Sequence, residues 1–507
     1  MRERKPAPLF HARPLWCQPQ PVRVRRRSRG TWLCSLTVAV ALAACALQAW
    51  AAPSRQAMLV LQDGAALRIA PKEGSPEQAR LIRGEAVELR GERLDWLQVW
   101  DYRRERGGFV RRSQLLPLPS DQPALRAQLQ LALPQEGQEG LALALASAFV
   151  QAAAAAELNT AAGAEVLDAI GQLGQRIAAS SGARRAGLLD VAARYGLRFE
   201  AFEQGDGSVK LCDAGDAYRA LLNLPAASPA AKARAALALT QPDCRPTTLS
   251  SSQRLASDEA RAALLQQAPL QGLPQYQANR LRSRRAAVAA SRAFLSRAPA
   301  LAAEAQAELA QVEVAELAED DQGEFNDAAM RVNAVRWLAL PALQDRQLSA
   351  QLQLSLVAGS SPGEQCLQLR QQDQLVLSKC SVARLPLASA TLSREGRAIA
   401  LAAQPLDGWR ELWLLRAGPQ GWTLDVLPPS LAAPGLGYVE FAGWVPGGRE
   451  LLLASESRAE GRYNPRRFIQ LDLTSLTPLR QSPDATALGA FQRWADPAWR
   501  GASAALR

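Results

Sequence analysis

The chain reads as a multidomain α+β protein: a small β module, an Ala/Leu-rich helical middle domain carrying one β-hairpin, and a C-terminal antiparallel β region. Three observations predict this. Apolar residues alternate at period two over about 57–118 and again beyond about 350, whereas between those stretches they recur at three- and four-residue steps. The 507 residues are also too many for one hydrophobic core. A hydrophobic content of 48% against 21% charged residues places the chain among globular proteins rather than disordered or fibrous ones.

Residues 1–51 read as an export signal. Nine Arg or Lys stand against the single acid Glu3, ending in Arg23, Arg25, Arg26, Arg27 and Arg29. An uncharged stretch from Thr31 follows and closes on Ala49-Trp50-Ala51, the small-residue spacing of a cleavage site. Leu42-Ala43-Ala44-Cys45 also resembles the bacterial lipoprotein box, which implies lipidation at Cys45 and a membrane anchor; an uncleaved spanning segment is the third alternative. The expected destination is the periplasm. Of 59 basic and 48 acidic residues, 50 and 47 remain beyond the leader, so the mature part is close to neutral. The high overall charge is therefore no argument for nucleic-acid binding, which needs a basic face on a folded domain.

Residues 52–118 form the first module. Met58–Leu61, Ala86–Leu89 and Trp96–Trp100 are short apolar or alternating runs, punctuated by Asp63-Gly64, Gly91 and Gly107-Gly108. Ala66-Leu67-Arg68, Gly84-Glu85-Ala86-Val87, Trp96-Leu97-Gln98-Val99 and Gly108-Phe109-Val110 together resemble the motifs of a bacterial SH3-like (SH3b) domain. The resemblance covers about 60 residues, and Phe109 stands where the family has Trp. It implies a small SH3-like β-barrel that binds peptidoglycan peptide or a periplasmic protein partner. The aromatic residues Trp100, Tyr102 and Phe109 are the candidate ligand residues, while Trp96 is expected in the core.

The second region, 119–345, is rich in Leu, Ala, Gln and Arg, all good helix formers. Val166, Leu167, Ile170, Leu173 and Ile177 lay one apolar stripe along a helix. A hairpin interrupts the pattern, with strands at 197–202 and 208–212 about the turn Gly205-Asp206-Gly207. The next helix starts at Asp213 or Asp216, either of which can cap it. Beyond the leader stand Cys212, Cys244, Cys366 and Cys380; of three pairings, the two local ones, Cys212–Cys244 and Cys366–Cys380, are expected in an oxidising compartment.

The third region, 346–480, alternates cleanly, as in Gln351-Leu352-Gln353-Leu354. Ser393–Arg397 leads into an apolar strand, and 52 positions later Val445–Arg449 does the same. A turn–strand unit of this length suggests propeller-like blades, two to three of them. Trp444-Val445-Pro446-Gly447-Gly448-Arg449 resembles the turn of TolB-like (PD40) propeller repeats, which implies contacts with proteins. Residues 481–507 read as a tail.

The only histidine is His11, inside the leader. Triads, imidazole base chemistry and histidine-built zinc sites are accordingly unavailable to the mature part. No Ser lies three residues before a Lys, and no Walker A loop or G-x-S-x-G elbow occurs. The expectation is a non-enzymatic binding protein with no cofactor or metal. The alternative is an envelope hydrolase using two carboxylates of the cluster Glu319, Asp320, Asp321, Glu324 and Asp327, which otherwise reads as a Ca²⁺ site or as a solvated helix end and the first turn of the next helix. The arginines Arg280, Arg282, Arg284, Arg285 and Arg292 are either a solvated face or a site for anionic envelope polymers.

Overall fold

The structure, a computed structural model, describes residues 56–182, 184–431, 434–497 and 499. The leader, its cleavage site and Cys45 lie outside the described residues. About 38% of the chain is helical and 31% in sheets, all of them predominantly antiparallel. Contacts gather the chain into two units: residues up to 231 with 243–245, and 232–242 with 246 onward.

The first unit opens with a seven-stranded sheet. Its order runs from Glu77–Leu81 through Ala65–Arg68, Arg106–Arg111, Trp96–Asp101, Ala86–Arg93 and Ala57–Val60 to Leu115–Pro117. The two edge strands are not hydrogen-bonded to each other, so the expected barrel is an open sheet. Strand alternation puts Met58, Val60, Leu67, Val87, Leu97, Val99 and Val110 on one buried face. Burial of each such side chain stabilises the unit by roughly 1.5–3 kcal/mol.

Four helices of eight or more residues lie wholly within the unit: Gln122–Ala132, Glu139–Ala152, Ala161–Ala179 and Arg184–Arg194. The Asp121 carboxylate caps the first of them and the Thr160 hydroxyl caps the third. Gly84 joins sheet to helices. At φ +85° it sits in the left-handed region, and a Cβ there would come within 2.3 Å of the Gly140 backbone. Glu85 beside it is buried and accepts from Arg104 at 3.0 Å and Arg194 at 2.7 Å. Burial pushes its carboxyl above the usual range, and Arg104 opposes that shift.

The hairpin is present as Phe199–Glu203 and Val209–Asp213. The helix after it, Asp216–Leu222, is entered through Gly215 in the left-handed region, and neither Asp213 nor Asp216 caps it. Asp213 ends the strand, and Asp216 sits in the first turn, where its charge opposes the helix dipole. The Cys212–Cys244 disulfide, spanning 32 residues, ties the hairpin to the end of the unit.

In the second unit three helices, Ser251–Gln266, Gln275–Ser296 and Pro299–Ala310, pack with Gln322–Val335 over a core of small residues. Ala286, Ala289, Ala290, Ala293, Ala302 and Ala305 allow close helix approach, and Phe325, Val332 and Val335 fill the remainder. Three four-stranded antiparallel meanders follow at 345–381, 391–427 and 436–482. Cys366 lies directly opposite Cys380 in the first, and they form the second disulfide.

The strand Ala398–Leu406 shows why the region reads as nearly continuous apolar runs. Its Ile399, Leu401 and Ala403 pack with the first meander, whereas Ala400 faces the third. A strand covered on both faces has no polar side to show. The two turns that stand 52 positions apart in the sequence meet in the fold: Glu395 accepts from the Gly447 N–H at 3.0 Å. The described residues that follow the last strand include one packed helix. Helix Gly489–Trp494 packs Phe491 against Leu452, Ala454 and Phe468.

Candidate functional site

The face of the N-terminal sheet opposite its core carries the aromatic residues. Trp100 pairs in register with Glu88 on one neighbouring strand and Gly107 on the other; Gln98 pairs with Phe109, and Trp96 with Arg111. Residues directly opposite project to the same side, so Trp96, Trp100 and Phe109 share one face. Gly107 is the enabling residue, since a Cβ there would lie 3.1 Å from the Trp100 ring. Its absence lets the indole lie across the neighbouring strand.

The three expected ligand residues differ in environment. Trp100 is half-buried. Tyr102 is also half-buried, but its hydroxyl donates to Glu88 and accepts from Arg90 at 3.1 Å. Arg90 in turn pairs with Glu88 at 2.9 Å. Phe109 is only 9% exposed, and the Arg93 guanidinium lies 6.0 Å from its ring centre. Trp96 is buried as expected, with Arg111 stacked 4.4 Å over it. The open part of the face is therefore the exposed Gln98 with the half-buried Trp100, flanked by the Tyr102–Glu88–Arg90 group on one side and by Arg93 and Arg111 on the other. Flat apolar surface beside fixed guanidinium groups suits a ligand that carries both aliphatic groups and carboxylates.

The acidic cluster and the basic run turn out to be each other's partners. Asp321 accepts from Arg280 at 2.7 Å, and Glu324 from Arg284 at 2.6 Å. The spacing 280/284 matches two positions one turn apart on a helix, facing the start of Gln322–Val335. Asp327 instead accepts from Tyr463 at 2.8 Å and pairs with Arg458. Only Glu319 and Asp320 remain exposed. Sequence reasoning treated these runs separately because some 40 residues divide them.

Among the described residues no group of His, Cys, Asp and Glu could hold a metal ion. No helix among them is long and apolar enough to cross a membrane. The four cysteines beyond the leader are paired as two disulfides, which points away from a reducing compartment. Comparison with family models, curated proteins and solved structures finds no match to this chain.

Proposed function

We propose that this chain is an exported, non-catalytic binding protein of the periplasm, whose N-terminal sheet takes up peptidoglycan peptide. The observation that carries the reading is the half-buried Trp100 between the Glu88–Arg90–Tyr102 group and Arg93, on a face turned away from the core. The SH3b-like motifs support it from the sequence side. Stem peptides combine methyl groups with free carboxylates, which match an indole beside guanidinium groups. The three meanders support the propeller-like reading of the C-terminal region and a role in contacting protein. Under the lipoprotein alternative, Cys45 would tether the same binding face to a membrane.

The test is co-sedimentation of the full mature chain with isolated peptidoglycan. Binding is expected, and Trp100→Ala is expected to weaken it about tenfold or more, the loss typical of a central aromatic anchor. A wild-type chain that stays in the supernatant removes the peptidoglycan reading. A periplasmic protein partner would then be the remaining occupant of the face.

A further inference from the structure

Four of the five arginines in the run 280–292 are held by the fold. Arg280 and Arg284 have their carboxylates. Arg282 donates to the Gln311 carbonyl at 2.8 Å. Arg285 donates to the Leu265 and Ala268 carbonyls at 2.9 and 2.7 Å and lies 3.6 Å from Glu308. Arg292 is the exception. Its guanidinium has no hydrogen-bond or ion-pair partner among the described residues; its Nε is buried without one, as are those of Arg282 and Arg285, whose terminal nitrogens do have partners. Solvation alone is a poor account of a guanidinium whose inner nitrogen is cut off from water.

Arg292 lines a cavity of about 310 Å³ between the helices Ser251–Gln266, Gln275–Ser296 and Pro299–Ala310. Arg285 and Arg292 are seven residues apart on one helix, two turns or about 10 Å along the same face. Glu304 and Glu308 stand one turn apart on the antiparallel partner helix. At one end of the cavity Arg285 and Glu308 approach each other. At the other, Arg292 and Glu304 line the same space without forming an ion pair. Leu265 and Val288 supply apolar wall between them.

We infer that this cavity is a binding site for a small zwitterion, an amino acid or dipeptide with both ends free. The ligand carboxylate pairs with Arg292, its ammonium group with Glu304, and a short aliphatic side chain meets Leu265 and Val288. Two guanidinium groups and two carboxylates make the lining neutral. A phosphate or other dianion would meet Glu304 and Glu308 as well as the arginines, whereas a zwitterion matches both signs. The site is separate from the sheet face around Trp100.

Calorimetric titration of the full mature chain with dialanine tests the inference. Saturable binding is expected with Kd about 1 mM or tighter. N-acetyl-dialanine and dialanine amide, each lacking one charge, are expected to bind at least about tenfold more weakly. Arg292→Gln and Glu304→Gln should each lose about tenfold as well, with melting temperature unchanged because neither side chain has a partner among the described residues. Trp100→Ala should leave dialanine binding intact, so this site and the sheet face fail independently. Three results overturn the inference: no saturable binding at about 10 mM dialanine, inorganic phosphate binding as tightly as dialanine, or either variant binding like the wild type.

Discussion

Arginine meets aromatic rings in both units, to opposite ends. On the N-terminal sheet Arg111 stacks over Trp96 with its guanidinium still a third exposed, also paired with the exposed Glu73. In the C-terminal sheet Arg410 lies 5.6 Å from the Tyr438 ring centre, wholly buried and paired with the buried Glu440. Arg336 at 3.4 Å and the Trp337 indole N–H at 3.2 Å complete that carboxylate's surroundings. The same residue types make a surface in one place and an interior in the other. The difference lies in coverage: the outer face of the first sheet is only partly covered, leaving Gln98 exposed and Trp100 half-buried, whereas the central strands of the second are packed on both faces. In the first pair the arginine still meets solvent; in the second both members are enclosed.

The comparison breaks most sharply at Arg410. Arg410→Met strands Glu440 in the interior with part of its charge uncompensated and is expected to cost about 3–5 kcal/mol in urea unfolding. Cys212→Ser with Cys244→Ser removes a 32-residue loop closure, and Cys366→Ser with Cys380→Ser a 14-residue one. Costs of about 4 and about 3 kcal/mol are expected, in that order, from thermal melts of the two double variants.

A half-buried acid without a guanidinium contact sharpens the contrast with Glu440. Burial pushes the Asp213 carboxyl from 3.8 up to about 6. The folded state then holds the proton more tightly than the unfolded chain, so this group's contribution is best below pH 4 and declines as pH rises to about 6. The decline amounts to about 2–3 kcal/mol. Asp213→Asn should remove it, leaving the variant more stable than wild type at pH 7 and no more stable at pH 3.5. Melting curves at both pH values decide this, and a variant with the wild-type pH slope would contradict the assignment. Smallest is Arg111→Ala, expected to lower stability by less than about 1 kcal/mol because its ion pair is surface-exposed.

The parts of the molecule legible in its residues are those governed by short-range chemistry. The hairpin about Gly205-Asp206-Gly207, the apolar stripe of helix Ala161–Ala179 and the local disulfides all follow from spacing within a few turns or strands. The site was legible in part. Trp100 and Phe109 do share a face, and Tyr102 reaches Glu88 on it from the following turn, but the occlusion of Phe109 and the Tyr102–Glu88 bond were not readable. Both depend on strand register across three strands.

Three outcomes required the chain to be folded. Whether the N-terminal sheet closes depends on its edge strands meeting, and no local pattern encodes that. The partners of Arg280 and Arg284 lie 41 and 40 residues away, so charge runs that look solvated become internal ion pairs. Arg292 is singled out only once its neighbours have been assigned partners. Periodicity and turn chemistry act over a handful of residues and can be read along a line. The choice of which charge meets which is settled by packing distant segments together, where desolvation penalises every group left without a partner.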